Sequence, residues 1–311
     1  MIHKPVFIVG APRSGTSLLF HIVRTSQKFW SLPSEGQHIW DTACHPSLHA
    51  WRSEECHLPS EISLREKNRI RLLYEQQSMP HWFWRHVVNP ERIWEYEPTA
   101  TRKIAGGVYL KAAPFLFACN PFRDALPRRL LDKTASNSLR MELLGEMFPD
   151  AKFVHVQRHG MAAIESMLKA WLYPRRFVTF HVPEKLEIEG YEGAAWNFML
   201  PEGWRSYTQK HLTDVCAWQW EMCQKRILDF KHHSPQRVLS VKTETLATNP
   251  ATELARLAKF LDLPLVRFAP FLQGSLPEIN TTPSKGAFPF PDHFDRILKK
   301  IEPTLDTMGY A

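Results

Sequence analysis

The chain has 311 residues, 44% hydrophobic and 23% charged, a composition near the globular mean that excludes wholesale disorder. No apolar run approaches the roughly 18 residues needed to cross a bilayer, and the apolar stretch in MIHKPVFIVG is too short for a secretory segment. Lys and Arg number 39 against 32 Asp and Glu; a net charge of +7 favours anionic partners, but no Lys/Arg block of the nucleic-acid-tail kind occurs.

The first element is the run Lys4–Val9, whose PVFIV reads as a buried strand closed by Gly10. The chain thus reads as starting directly with structure. Leu18, Leu19, Ile22 and Val23 then recur at helical spacing, giving strand, loop, helix. A second unit follows in KFVHVQ, with a helix carrying Met161, Ile164, Met167 and Leu168. The stretch Gln209–His233 predicts a long helix with Leu212, Cys216, Trp220, Cys223, Ile227 and Phe230 on one side. A third strand–helix unit joins Val238–Val241 to a helix begun by Asn249 and Pro250, with Leu254, Leu257, Ala258 and Leu261 on its apolar face. Strands alternating with helices imply an α/β fold, a three-layer domain with a mostly parallel central sheet flanked by helices. We expect one domain over 1–311, with insertions at 37–127 and 173–208 that cap the sheet and shape a pocket, some of its tryptophans (Trp82–Trp94 or Trp171–Trp204) lining it.

The first loop, Gly10-Ala-Pro-Arg-Ser-Gly-Thr-Ser17, lies between a strand and a helix. That context suits phosphate binding, because backbone N–H groups and the positive end of the helix converge on an anion. Its spacing is that of GxxxxGK[ST], except that Thr16 stands where a nucleotide triphosphatase has lysine. The second strand, KFVHVQ, has no carboxylate for Mg²⁺, whereas Arg13 puts a guanidinium inside the loop. An anion cradle without metal machinery suits a sulfuryl group. Cys44, His45, His49, Cys56 and His57 match no standard zinc spacing, so no metal is expected. Five cysteines without a CxxC suit a reduced, cytoplasmic setting.

FIVGAPRSGTSLL resembles the 5′-phosphosulfate loop of sulfotransferases that use 3′-phosphoadenosine 5′-phosphosulfate (PAPS). FPDAKFVHVQRHGMAAIESML resembles that family's 3′-phosphate motif, and LLDKTASNSLRMELLGEMFPDAKF its lysine-bearing segment. PQRVLSVKTETLATNP and the terminal MGY are also similar, so the resemblance spans roughly half the chain. It implies that Pro12, Arg13, Ser14, Gly15, Thr16 and Ser17 hold the 5′ end of the donor, while Arg158 and Ser166 hold its 3′-phosphate. The resemblance also implies a P-loop-like α/β fold and places Lys133 at a loop near the donor; Lys285, in NTTPSKGAF, is expected to reach the donor from a C-terminal lid. The histidine of the cytosolic small-molecule branch is missing after Lys133-Thr134. Glu35, twenty-two residues after Arg13, instead fits the glutamate-base branch that includes tyrosyl-protein sulfotransferases.

The implied reaction is in-line, metal-free transfer of a sulfuryl group to a hydroxyl or amine, releasing adenosine 3′,5′-bisphosphate (PAP). Glu35 is then the general base, with Arg13 and Lys133 stabilising charge. Nothing in the acceptor-site segments 37–127 and 173–208 selects a peptide, glycan, lipid, polyketide or small alcohol, and the aromatic content tilts the acceptor slightly towards a hydrophobic small molecule or acyl chain; no nucleic-acid partner is expected. A P-loop kinase or nucleotide triphosphatase with a degenerate loop, and a non-catalytic nucleotide-binding module, are the alternatives.

Overall fold

Val6–Val9 form strand β1, and all four side chains are fully buried, as a strand covered on both faces requires. The strand starts two residues later than the apolar run suggests. Lys4 is in the left-handed region (φ 43°) and its N–H donates to Asp150 Oδ2 at 2.7 Å, so the ladder begins only after Pro5. The computed structural model describes residues 2–26, 28–32, 35–55, 60, 62–83, 129–173, 179–272 and 283–310.

The remaining strands are β2 (Trp30–Ser31), β3 (Leu130–Asp132), β4 (Lys152–Gln157), the small antiparallel pair β5 (Thr179–Phe180) and β6 (Trp196–Asn197), and β7 (Val238–Lys242). The central sheet runs β2-β3-β1-β4-β7, and every pairing is parallel. Chain order reverses about β1, which has β3 on one side and β4 on the other, so the crevice expected for a ligand opens beyond its C-terminal end.

Alternation along β1 sorts the core into two layers. Val6 and Ile8 face α1 (Thr16–Arg24) and join its Leu19, Ile22 and Val23. Phe7 and Val9 face the other side and join Ile39 and Trp40 of α2 (Gln37–Cys44), and Ile70 and Tyr74 of α3 (Leu64–Phe83). On that side also lie Leu143 and Leu144 of α4 (Met141–Met147). The described part of 37–127 is therefore in part core.

Helix α5 (Gly160–Leu172) buries Met161, Ile164, Met167 and Leu168 together, as its spacing predicts. Helix α6 (Leu212–His233) starts where the His211 ring accepts the Thr213 N–H at 3.2 Å, three residues beyond Gln209, and buries the expected face. After β7 come α7 (Thr243–Thr248) and α8 (Pro250–Leu261), the latter capped by Asn249 Oδ1 on Thr252 N–H at 3.3 Å. A last helix, α9 (Phe294–Thr307), closes against α5 and α6.

Trp171, Trp196, Trp204 and Trp220 are all fully buried in one cluster, with Trp196 edge-on to Trp171 and Trp204. These tryptophans fill a core; Trp84 and Trp94 lie outside the described residues, and so do Cys56 and His57. The rings of His45 and His49 are engaged locally, with Ser47 Oγ at 2.6 Å and the Ala43 carbonyl at 2.9 Å. No described helix is long and apolar enough to cross a membrane.

Two buried titratable groups give the core opposite pH responses. Burial pushes Glu54 up to about 7, against the pull of Arg140 and hydrogen bonds from Ser136 and Leu200. The folded state then holds a proton that the unfolded state has lost, so this group makes stability fall as pH rises from about 4.5 to 7. Burial pushes His155 down to about 4, so the unfolded state holds the extra proton between about 4 and 6.5 and stability rises there. Glu54→Gln is expected to unmask the histidine-driven rise, changing the pH 4.5-to-7 difference in unfolding free energy by about 3 kcal/mol. Urea titrations at the two pH values check this; parallel curves for both proteins would contradict it.

Candidate active site

All five parallel strands end at one edge of the sheet, and that edge collects the residues singled out in the sequence. Arg13 lies in the loop after β1, Glu35 four residues after β2, Lys133 directly after β3 and Arg158 directly after β4. Thr243 directly follows β7.

The first loop is built tightly. Arg13 (φ 67°) and Gly15 (φ 91°) are left-handed, which curls the backbone so that α1 starts at Thr16. At its entrance Ser138 Oγ receives the Gly10 N–H at 2.9 Å and stands 3.0 Å from the Gly10 carbonyl it can donate to. A Cβ at Gly10 would lie 2.6 Å from the Val156 carbonyl oxygen, so β4 leaves room only for glycine. At its exit the Thr243 hydroxyl lies 2.7 Å from the Ser14 carbonyl and 2.8 Å from that of Gln157, latching the loop to the end of β4.

Two contacts join the loop to the second motif across about 150 residues of chain. Arg13 Nε donates to Ser166 Oγ at 3.0 Å, and Arg158 Nη1 donates to the Arg13 carbonyl at 2.7 Å. Burial, and to a lesser degree Arg13, push the Arg158 guanidinium below its ordinary value, with Glu244 opposing them. Glu244 in turn accepts the His159 N–H at 2.8 Å and the Tyr310 hydroxyl at 2.9 Å. On the other flank, Lys133 Nζ donates to Ser17 Oγ at 3.0 Å and to the Glu35 carboxylate. Lys285 joins none of these side chains through a hydrogen bond recorded among the described residues; it pairs with Asp295 at 2.6 Å on the surface.

The residues present suit an anion. Lys133 and Arg158 each touch the loop that carries Arg13, and the first turn of α1 holds no acidic side chain. Its leading N–H groups have no acceptor within the helix. Ser14 Oγ is fully buried yet has no hydrogen-bond partner among the described residues, a donor waiting for an acceptor. Among the described residues no group of three or more His, Cys, Asp or Glu could hold a metal ion.

The profile of the Sulfotransferase family matches residues 5–199, more than half of the chain, including Arg13, Glu35, Lys133, Arg158 and Ser166. The chain belongs to the sulfotransferase family. Its fold is similar to that of sulfotransferase STF9 from Mycobacterium avium, at 13% identity and a TM-score of 0.50, covering 100% of this chain and 78% of that one. The sulfotransferase domain of the Synechococcus PCC 7002 olefin synthase aligns at 17% identity and a TM-score of 0.49, covering 100% and 97%. Sulfotransferase STF1 from Mycobacterium tuberculosis H37Rv aligns at 12% and 0.49, covering 97% and 77%. No curated protein matches the chain.

The carboxylate-free KFVHVQ strand is one of two neighbours of β1 in this sulfotransferase. The other neighbour, β3, does end in a carboxylate, Asp132. That group is buried and receives hydrogen bonds from Tyr74, Thr134 and Asn137, so it is committed to the protein interior. Sequence reading also passed over Ser138, Thr243 and Glu244. For Thr243 a signal existed: it follows its strand as Lys133 and Arg158 follow theirs.

Proposed function

We propose that this sulfotransferase takes its sulfuryl group from PAPS and passes it in line to a hydroxyl or amine. Glu35 accepts the acceptor's proton as that oxygen or nitrogen bonds to sulfur. As the bond between sulfur and the 5′-phosphate oxygen breaks, its electron pair stays on the leaving phosphate, where Arg13, Lys133 and the loop N–H groups of Ser14–Ser17 offset the charge. Arg158 and Ser166 hold the 3′-phosphate, Arg158 through charge-assisted hydrogen bonds. Lys285 closes over the donor once released from Asp295. The acceptor is a hydrophobic small molecule received between residues of 37–127 and 173–208 of a single domain, in a reducing cytoplasm that suits the buried thiols Cys216 and Cys223.

The observation that carries this reading is the Lys133 ammonium, which touches both Glu35 and Ser17 and so sets a carboxylate beside the anion cradle. PAP at ~100 times its dissociation constant is expected to add about 2.7 kcal/mol of stability without any metal. A thermal-shift comparison checks it, and a larger shift with ATP and Mg²⁺ than with PAP would reject it in favour of phosphoryl chemistry. With PAPS supplied, wild-type protein should release PAP and sulfonate at least one member of a panel of alcohols and phenols.

A further inference from the structure

Resting on the reading of Glu35 as the base, we infer that Asp132, acting through the Thr134 hydroxyl, is a positioning residue that fixes Glu35 against Lys133. Asp132 is the last residue of β3 and is 1% exposed. Its Oδ1 receives the Thr134 O–H at 3.0 Å; its Oδ2 receives the Asn137 amide at 2.6 Å and the Tyr74 hydroxyl at 3.0 Å. A hydroxyl has a single proton, and Thr134 spends it on Asp132. Its oxygen is thereby turned as an acceptor towards the Gly36 N–H, 2.7 Å away.

That N–H belongs to the peptide unit joining Glu35 to Gly36, and a planar peptide fixes the direction in which the Glu35 Cα is held. The Glu35 carboxylate is held separately by Lys133. Three consecutive residues therefore restrain the base at two points, backbone and side chain, and Asp132 orients the first. Tyr74 is oriented in the same sense, since its oxygen takes the Trp40 indole N–H at 2.9 Å while its own proton goes to Asp132. Space around Gly36 is equally defined: a Cβ there would lie 3.1 Å from Tyr74 Oη and 3.3 Å from Thr134 Oγ1. The negative charge of Glu35 is felt at Asp132, which places the two carboxylates in one electrostatic neighbourhood.

Thr134→Val keeps the shape and removes the hydroxyl; Thr134→Ser keeps the hydroxyl. With PAPS as donor and water as acceptor, release of PAP by Thr134→Val is expected to fall about 10–100-fold in kcat, because small displacements of a catalytic group cost rates of that order. KM for PAPS and calorimetric affinity for PAP should stay within about threefold, and Thr134→Ser should recover kcat to within about threefold of wild type. Wild-type kcat in Thr134→Val, while Glu35→Gln in the same assay is slow, would overturn the positioning role and leave the base in place. Equal losses in the valine and serine variants would also overturn it, since the hydroxyl would then not be the cause. Should the valine protein fail to bind PAP or to unfold cooperatively, Thr134→Ala is read by the same criteria. If Glu35→Gln turns over like wild type, the reading of the base fails, and a crystal structure of Thr134→Val decides the network alone: Glu35 displaced from Lys133 supports it, Glu35 unmoved refutes it.

Discussion

Glu35→Gln is expected to lower kcat for sulfuryl transfer about 10²–10⁴-fold, the range that a positioned general base contributes. The substitution is close to isosteric. Its amide oxygen can still accept from Lys133, and the Gly36 N–H anchor is untouched, so the loop should keep its place. What is lost is the capacity to take a proton from the acceptor. Affinity for PAP should change little, because Arg13, Arg158 and the first turn of α1 are the groups proposed to hold that product, whereas Glu35 meets the first loop through Lys133. Steady-state rates against calorimetric PAP binding check the split. A rate equal to wild type would remove Glu35 from the chemistry; a parallel loss of PAP affinity would assign it to holding the loop.

The parts of this fold legible in the sequence were those whose information is local. β1 is a four-residue apolar run and β4 and β7 are short strands rich in Val, Phe and Leu, and helices that follow them carry apolar residues at a spacing of three and four. Asn249 and Pro250 announce α8 because capping is a matter of adjacent residues. The strands β2 and β3, of two and three residues, escape a periodicity argument altogether: too few positions exist for alternation to repeat. Their absence from the reading had a chemical consequence, since β3 delivers both Asp132 and Lys133 to the site edge.

Site residues divide in the same way. The glycines, Arg13 and Thr16 could be read from spacing within one loop, and Arg158 from its position at a strand end. That Arg13 meets Ser166, 153 positions away, and Glu35 meets Lys133, 98 away, is set by strand order, which no local pattern encodes. Resemblance to a family assigned these residues to a common donor without pairing them; the parallel order β2-β3-β1-β4 brings the loops they occupy to one edge. Ser138 stayed invisible because a serine beside a backbone carbonyl leaves no mark on composition or period, and Thr243 was marked by nothing but its place directly after a strand. Glu54 was equally silent: a carboxylate in a loop reads as solvated until burial says otherwise.

Arg158→Ala is expected to weaken PAP binding about 10²-fold, since removing one partner of a largely buried charge pair leaves the other without compensation. Arg158 does two things at once, and the size of the loss alone does not separate them. On the proposed reading it holds the 3′-phosphate, which would relieve its repulsion from the Arg13 guanidinium, and it also braces the loop through the Arg13 carbonyl at 2.7 Å. Adenosine 5′-monophosphate, which lacks the 3′-phosphate, distinguishes the two roles. If Arg158 reads that phosphate, the variant should bind the monophosphate within about threefold of wild type while PAP falls about 100-fold, collapsing the preference for the doubly phosphorylated nucleotide. If it only braces the loop, both nucleotides should weaken together, because both place their 5′-phosphate there. Calorimetry with the two nucleotides on wild type and variant gives the ratio, and equal losses would transfer the 3′-phosphate contact away from Arg158.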